Sequence, residues 1–179
     1  MSDEAVLALV VAVRALVPLL IFRWNLAGAF LAIAADGSDA VIQDVLGAEP
    51  LRGWYHEFDK VFDTYYLGIA LWVARSWGDR LAWTVLVSLF ALRAAGVVVF
   101  ELTGARAVIL AAPNIFENYY LVLAGLRSMD SGYRLSGWRE ALVWLVLVSP
   151  PKLLQEYVMH YREAQTWRFV RDEIVTPWD

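Results

Sequence analysis

LAWTVLVSLFALRAAGVVVF, residues 81–100, is a run of 20 residues interrupted by one charge, Arg93. About 20 apolar residues wound as a helix match the roughly 30 Å hydrocarbon core of a bilayer. Lipid leaves a spanning backbone either helices or closed barrels, because every N–H and C=O must find its partner within the protein. A block of helix length therefore predicts a transmembrane helix. The fold class expected for the chain is an all-α polytopic bundle.

The rest of the sequence agrees. Of 179 residues, 60% are hydrophobic and 19% charged, and the mean hydropathy is +0.51. A soluble domain carries about 45–50% apolar and about 25% charged residues. The excess falls in blocks, so residues 1–161 read as one transmembrane helical domain and residues 162–179, with alternating charges, as a polar tail. A formal net charge of −4 provides no basic stripe and argues against a nucleic-acid partner. The absence of cysteine excludes disulfides and thiolate metal sites. Met-Ser-Asp-Glu at the start lacks the basic n-region and small-residue cleavage site of a secretory signal, so the first span is expected to stay as an anchor.

Working outward from residues 81–100, Ala5 to Phe22 is apolar apart from Arg14, and Leu26 to Ala35 follows after Arg23-Trp24-Asn25. The 31 residues from 5 to 35 would make about 46 Å of helix, too long for one span and short for two. A second helix gains length by running on through Asp36, Asp39, Val41 and Ile42. Residues 44–59 are polar, with a loop marked by Pro50 and Gly53. Spans are expected over Phe58–Trp77, Leu81–Phe100 and Ala107–Leu126, the last broken by Pro113. Trp138–Ser149 is short unless it continues through Pro150-Pro151 towards His160. Six crossings are expected, with five as the alternative. Apart from Arg14 and Arg93, Lys and Arg divide seven against six between the two sides, too small a bias for the positive-inside rule to fix the orientation; cytoplasmic termini are the weak preference. Nine tryptophans and eight tyrosines read as interfacial belts. The location is the cell membrane, with the lipid bilayer as surroundings and either a second copy or a membrane partner protein as company.

Three segments share a design: Lys60-Val-Phe-Asp63-Thr-Tyr-Tyr-Leu67, Asn114-Ile-Phe-Glu117-Asn-Tyr-Tyr-Leu121 and Lys152-Leu-Leu-Gln155-Glu-Tyr-Val-Met159. The pattern is consistent with repeated helix pairs, as in transporters, and equally with chance similarity between apolar segments.

The candidate chemistry lies in the charges. Asp59 and Asp63 are spaced i, i+4 and Asp36 and Asp39 i, i+3, so each pair shares a helix face. Four carboxylates at neighbouring helix ends would suit a hard divalent cation such as Mg²⁺ or Mn²⁺. Solvated acids favoured by a helix N-terminus are the structural alternative. Arg14 and Arg93 lie within apolar spans, where a central arginine costs roughly 2.5–3.5 kcal/mol on insertion scales. That cost calls for partners, Glu117 or the aspartates, as an ion pair, or else a substrate phosphate. Pro113-Asn114-x-x-Glu117-Asn118 places a proline and three polar side chains inside a span, as glue between helices or as a polar pathway. Glu156 and His160, spaced i, i+4, could ligate a metal together but read more simply as a juxtamembrane polar helix. No nucleophile elbow, phosphate loop, zinc-protease or dinucleotide fingerprint is present.

Asp36-Gly-Ser-Asp39 and Asp59-Lys-Val-Phe-Asp63, in this order, resemble the two acidic pairs of CDP-alcohol phosphotransferases, six-helix membrane enzymes with the signature DxxDGxxAR…GxxxDxxxD. Arg14 with Pro18 is similar to the Arg and Pro of that family's first helix. The resemblance covers residues 14–63 and implies a site for two metals built from Asp36, Asp39, Asp59 and Asp63, with Asp63 as base. The chain departs from the signature at Ala40, at Gln43-Asp44 and at Tyr55, where the family has glycine, alanine-arginine and glycine. The missing glycine and arginine are nucleotide-binding elements. DKxxDxYYL, FELTG, PNxFEN and PKxxQEYxxH together also resemble a group of multi-pass bacterial membrane proteins to which no activity attaches.

Three functions follow as alternatives. A divalent-metal-dependent phosphotransferase acting on lipid-linked substrates would use the four aspartates, with Asp63 catalytic. A non-catalytic membrane subunit would use the same groups as contacts between helices. A small-solute transporter would use Arg14, Arg93, Glu117 and Asn118 to bind its substrate.

Overall fold

The computed structural model describes residues 3–45, 55–105 and 107–157, with the side chains of residues 3, 39–45, 55–59, 109 and 156 outside that description. The elements among the described residues are all helices, with no strand.

Helix α1 (Asp3–Leu16) passes into a 3₁₀ segment at Val17–Phe22. Pro18 is the cause. It has no N–H to give, and its ring would crowd the carbonyl one turn back, so the chain tightens from α to 3₁₀ geometry. The Leu20 carbonyl accepts from Arg23 N at 3.0 Å and Trp24 N at 2.8 Å, which turns the chain. Helix α2 (Asn25–Val45) returns along the 3₁₀ segment and runs on through Asp36 and Asp39, the longer of the two readings of this region. Helix α3 (Tyr55–Arg75) starts three residues before the expected Phe58, so Asp59 and Asp63 both lie within it.

Helix α4 (Arg80–Thr103) holds the stretch at residues 81–100 and is punctuated at both ends. Asp79 caps its start, accepting from Ala82 N at 3.0 Å. Gly104 closes it with φ +65°, a left-handed turn that disfavours any side chain. The next block is split as Pro113 requires, into a short helix α5 (Ala107–Ala111) and helix α6 (Ile115–Met129). Helix α7 (Trp138–Glu156) continues through Pro150-Pro151. Ser149 Oγ donates to the Leu145 carbonyl at 2.6 Å, and just beyond the prolines Lys152 is held inside the bundle by a partner on α6.

Helix α6 is the centre, in contact with α2, α3, α4 and α7. Its Phe116, Tyr119, Tyr120, Leu123 and Ala124 are buried. Tyr120 stacks on Trp77 at 5.2 Å and on Phe116 at 6.1 Å between ring centroids. The outer faces of α4 and α7 are apolar and exposed, at Leu92, Val98 and Leu102 and at Leu142, Val146 and Leu147. Among the described residues, two stretches are long and apolar enough to cross a membrane, Glu4–Phe22 and Arg80–Thr103. In α2 the acids fall in the second half and in α3 in the first, which shortens the apolar stretch of each, and the break at Pro113 divides the fifth block.

Asp79 does more than cap. Its Oδ2 also accepts from the buried Leu135 N at 2.8 Å, tying the α3–α4 turn to the 130–137 loop. Asp79→Ala should lose a cap worth about 1 kcal/mol and leave a buried N–H unsatisfied at about 1–3 kcal/mol. A loss of about 2–4 kcal/mol is expected in detergent unfolding. Asp79→Asn should recover the cap and not the second bond, because its amide nitrogen cannot accept.

Candidate functional site

Arg14 stands in the last turn of α1, where the helix dipole favours a cation, and it is 4% exposed. Its Nη2 donates to Asp36 Oδ1 on α2 and to Asp63 Oδ1 on α3, the latter at 2.9 Å. The guanidinium carbon lies 5.5 Å from the Phe62 ring centroid. Asp36 and Asp63 are 39% and 28% exposed, so the cluster is buried at the cation and partly open at the acids. Two of the four aspartates therefore converge, on one guanidinium nitrogen. Asp39 and Asp59 sit on the same two helices, one turn from Asp36 and Asp63, and their side chains lie outside the described residues. Among the described residues no group of three or more His, Cys, Asp or Glu gathers to hold a metal ion. Arg14 occupies the point on which the two carboxylates close.

A second cluster forms around Glu117, in the first turn of α6. Tyr66 Oη donates to Glu117 Oε2, as does Asn114 Nδ2 at 3.1 Å. Lys152 Nζ donates to Glu117 Oε1 at 3.2 Å and to Gln155 Oε1 at 3.2 Å. The Lys152 and Glu117 side chains are 5% and 13% exposed. Pro113 makes this possible: the helix restarts after it, so Asn114 and Glu117 are free to serve as side-chain partners at a new helix start. Asp63 and Tyr66 are i, i+3 on α3 and share a face. One helix thus feeds both clusters, the first joining α1, α2 and α3 and the second joining α3, α6 and α7. Lys60 on α3 pairs with Glu101 on α4, its Nζ 4.9 Å from the Phe100 ring centroid.

The two arginines of the apolar stretches differ in their partners. Arg14 takes the aspartates. Arg93 donates to the Ala112 carbonyl at 3.3 Å, a carbonyl at the break before Pro113. Asn118 lies one residue past Glu117 on α6, about 100° around the helix from it, and is half-buried. Tyr66, Lys152 and the Lys60–Glu101 pair were not among the residues singled out as a site. Their signal was present nonetheless, because DKxxDxYYL, FELTG, PNxFEN and PKxxQEYxxH each contribute a partner to these contacts. The three similar segments do not share one setting. The first two lie at the starts of α3 and α6, whereas the third lies near the end of α7.

At the far end of the bundle, Arg127 donates to the carbonyls of Tyr133 and Ser131 and lies 5.3 Å from the Trp77 ring centroid. Glu140 accepts from Ser136 N and Ser136 Oγ, each at 2.7 Å, and from the Tyr133 hydroxyl. Burial first, then the bond to the Glu140 carboxylate, push the Tyr133 hydroxyl up to about 12. These contacts close the 130–137 loop and need no ligand.

Compared with known proteins, the chain finds no match among family models, curated proteins or solved structures.

Proposed function

We propose that this chain is an integral, multi-pass protein of the cell membrane and a non-catalytic membrane subunit, its ionisable groups serving to hold one helix to the next. The observation that carries this reading is the buried guanidinium of Arg14 shared by Asp36 and Asp63. By helix rise, Asp63 lies about 18 Å before the end of α3 and Asp36 about 16 Å beyond the start of α2. Both positions fall inside a roughly 30 Å hydrocarbon core, Asp63 one turn in from Lys60. Charge at such depth is costly unless paired, and Arg14 meets opposite charges there on two other helices. The distribution of side chains supports the same reading. Arg14 and Lys152 point inward while large apolar residues cover α4 and α7, the reverse of the pattern in water. The least apolar of the long helices, α3, supplies Asp63 to one cluster and Tyr66 to the other.

The absence of cysteine makes the topology directly testable. Ala105→Cys and Ser131→Cys, at opposite ends of the bundle, should react with an impermeant maleimide from opposite faces of sealed vesicles. Carbonate should leave the protein in the membrane. Release by carbonate, or labelling of both positions from one face, overturns the multi-pass reading.

A second reading rests on the convergence itself. Two carboxylate oxygens close on one point, and Asp39 and Asp59 lie one turn away along the same helices, so a divalent-metal phosphotransferase would be assembled from Asp36, Asp39, Asp59 and Asp63. It requires stoichiometric Mn²⁺ binding by the wild type, lost in Asp63→Asn. The subunit reading expects none, together with co-purification of a partner or a second copy from mild detergent.

A further inference from the structure

Along the outer side of α3 runs an open groove of about 850 Å³, apolar over most of its length, between α3 and α4. Gly68 forms its floor, Tyr65, Trp72 and Val97 its walls, and Lys60 with Glu101 its polar end. A Cβ added at Gly68 would meet nothing within 4 Å, so this glycine leaves the floor clear. From Lys60 to Trp72 is 12 residues of helix, about 18 Å. That length suits one extended acyl chain, which reaches about 15 Å into a roughly 30 Å core. The charged end lies at Glu101, two residues before the end of the 24-residue α4, where a helix long enough to span would meet the headgroups.

The polar end narrows the occupant further. Lys60 and Glu101 are paired with each other and partly exposed, 32% and 46%. They offer one cation and one carboxylate side by side. A headgroup that carries a phosphate and a primary ammonium is complementary to both: the phosphate oxygens accept from Lys60 Nζ, and the ammonium donates to Glu101. Insertion exchanges one ion pair for two and buries no unmatched charge. Choline has no N–H to donate, and phosphatidylglycerol brings no cation for Glu101.

We propose that the α3–α4 groove binds one acyl chain of a phosphatidylethanolamine-type lipid, its phosphate on Lys60 and its ammonium on Glu101. The proposal rests on the membrane reading above, and the two fail separately. A chain that carbonate strips from the membrane overturns both. A chain that stays in the membrane without headgroup preference overturns the groove assignment alone.

The test is native mass spectrometry of the full chain from mild detergent micelles containing equal phosphatidylethanolamine, phosphatidylcholine and phosphatidylglycerol. The wild type should retain one phosphatidylethanolamine in about tenfold preference over phosphatidylglycerol, the size expected for one charge-assisted bond. Gly68→Leu fills the floor and improves helix propensity, so it should fold at least as well and lose the bound lipid. Glu101→Gln should keep a lipid and lose the preference. Equal retention of the three lipids by the wild type, or undiminished retention by Gly68→Leu, overturns the proposal.

Discussion

Arg14→Met should destabilise the protein by about 3 kcal/mol, with Asp36→Asn/Asp63→Asn in the same chain restoring most of the loss. Methionine keeps an apolar stem of similar reach and removes the charge. What remains is two carboxylates facing each other in a site built around a cation. Breaking a buried ion pair from one side costs about 3–5 kcal/mol, mainly through the charge left behind. The lower end applies here because Asp36 and Asp63 are 39% and 28% exposed and water screens them in part. Neutralising both acids removes the uncompensated charge, and an apolar or neutral replacement of a whole buried cluster is often close to neutral in stability. Unfolding in a denaturing detergent series, with the single, double and triple replacements on one cycle, measures each term. A loss in Arg14→Met that the triple replacement leaves unchanged would show that Arg14 acts through packing and not as the ionic joint of α1, α2 and α3.

The same cycle separates the two functional readings. If Arg14 is the joint, its removal weakens the bundle and Mn²⁺ does not rescue it. If the aspartates are a metal site, removing the competing guanidinium should raise Mn²⁺ affinity, and the ion should restore stability by mass action. Asp63→Asn abolishes the rescue in that case. Electron paramagnetic resonance of Mn²⁺ gives the answer without a substrate.

How much of this was legible depended on the range of the cause. The course of α4 follows from local features: an apolar run broken by Arg93 alone among charged residues, Asp79 before it and Gly104 after it. The break before α6 follows from Pro113, and the tightening of the first span into 3₁₀ geometry has its cause in Pro18. The course of α7 through Pro150-Pro151 was open in the sequence, because local rules end a helix at proline. What carries it onward is a tertiary contact, Lys152 on Glu117, 35 residues apart in the chain. The partner of Arg14 was open for the same reason: aspartates 22 and 49 residues away answer a charge whose need for neutralisation is visible locally and whose partner is fixed by how helices pack. The i, i+3 and i, i+4 spacings placed acids on helix faces correctly but had no means of deciding whether a metal or an arginine faced them.

Packing also decides the second large effect, Gly28→Ala, expected to cost at least about 3 kcal/mol. A Cβ at this position would lie 2.4 Å from Ile21 N, 2.5 Å from Leu20 C and 2.7 Å from Ile21 Cα. All three are backbone atoms of the 3₁₀ segment, so no side chain can swing aside. Overpacking a core costs about 1–3 kcal/mol when side chains can adjust, and here α2 itself must move. Gly37→Ala on the same helix supplies the control. Its Cβ meets nothing within 4 Å, and alanine is better than glycine inside a helix by about 0.8–1.0 kcal/mol, so the identical substitution nine residues on should stabilise slightly. Opposite signs from the two variants would place the cost in the crossing of α2 over the 3₁₀ segment. The close approach that Gly28 permits, in the manner of small residues between membrane helices, also sets the depth at which α2 presents Asp36, eight residues further on, to Arg14. If Gly28→Ala displaces α2, part of the Arg14 joint is already lost, and adding Arg14→Met should then cost less than it does in the wild type. Additive losses would mean that the crossing and the ionic joint are independent.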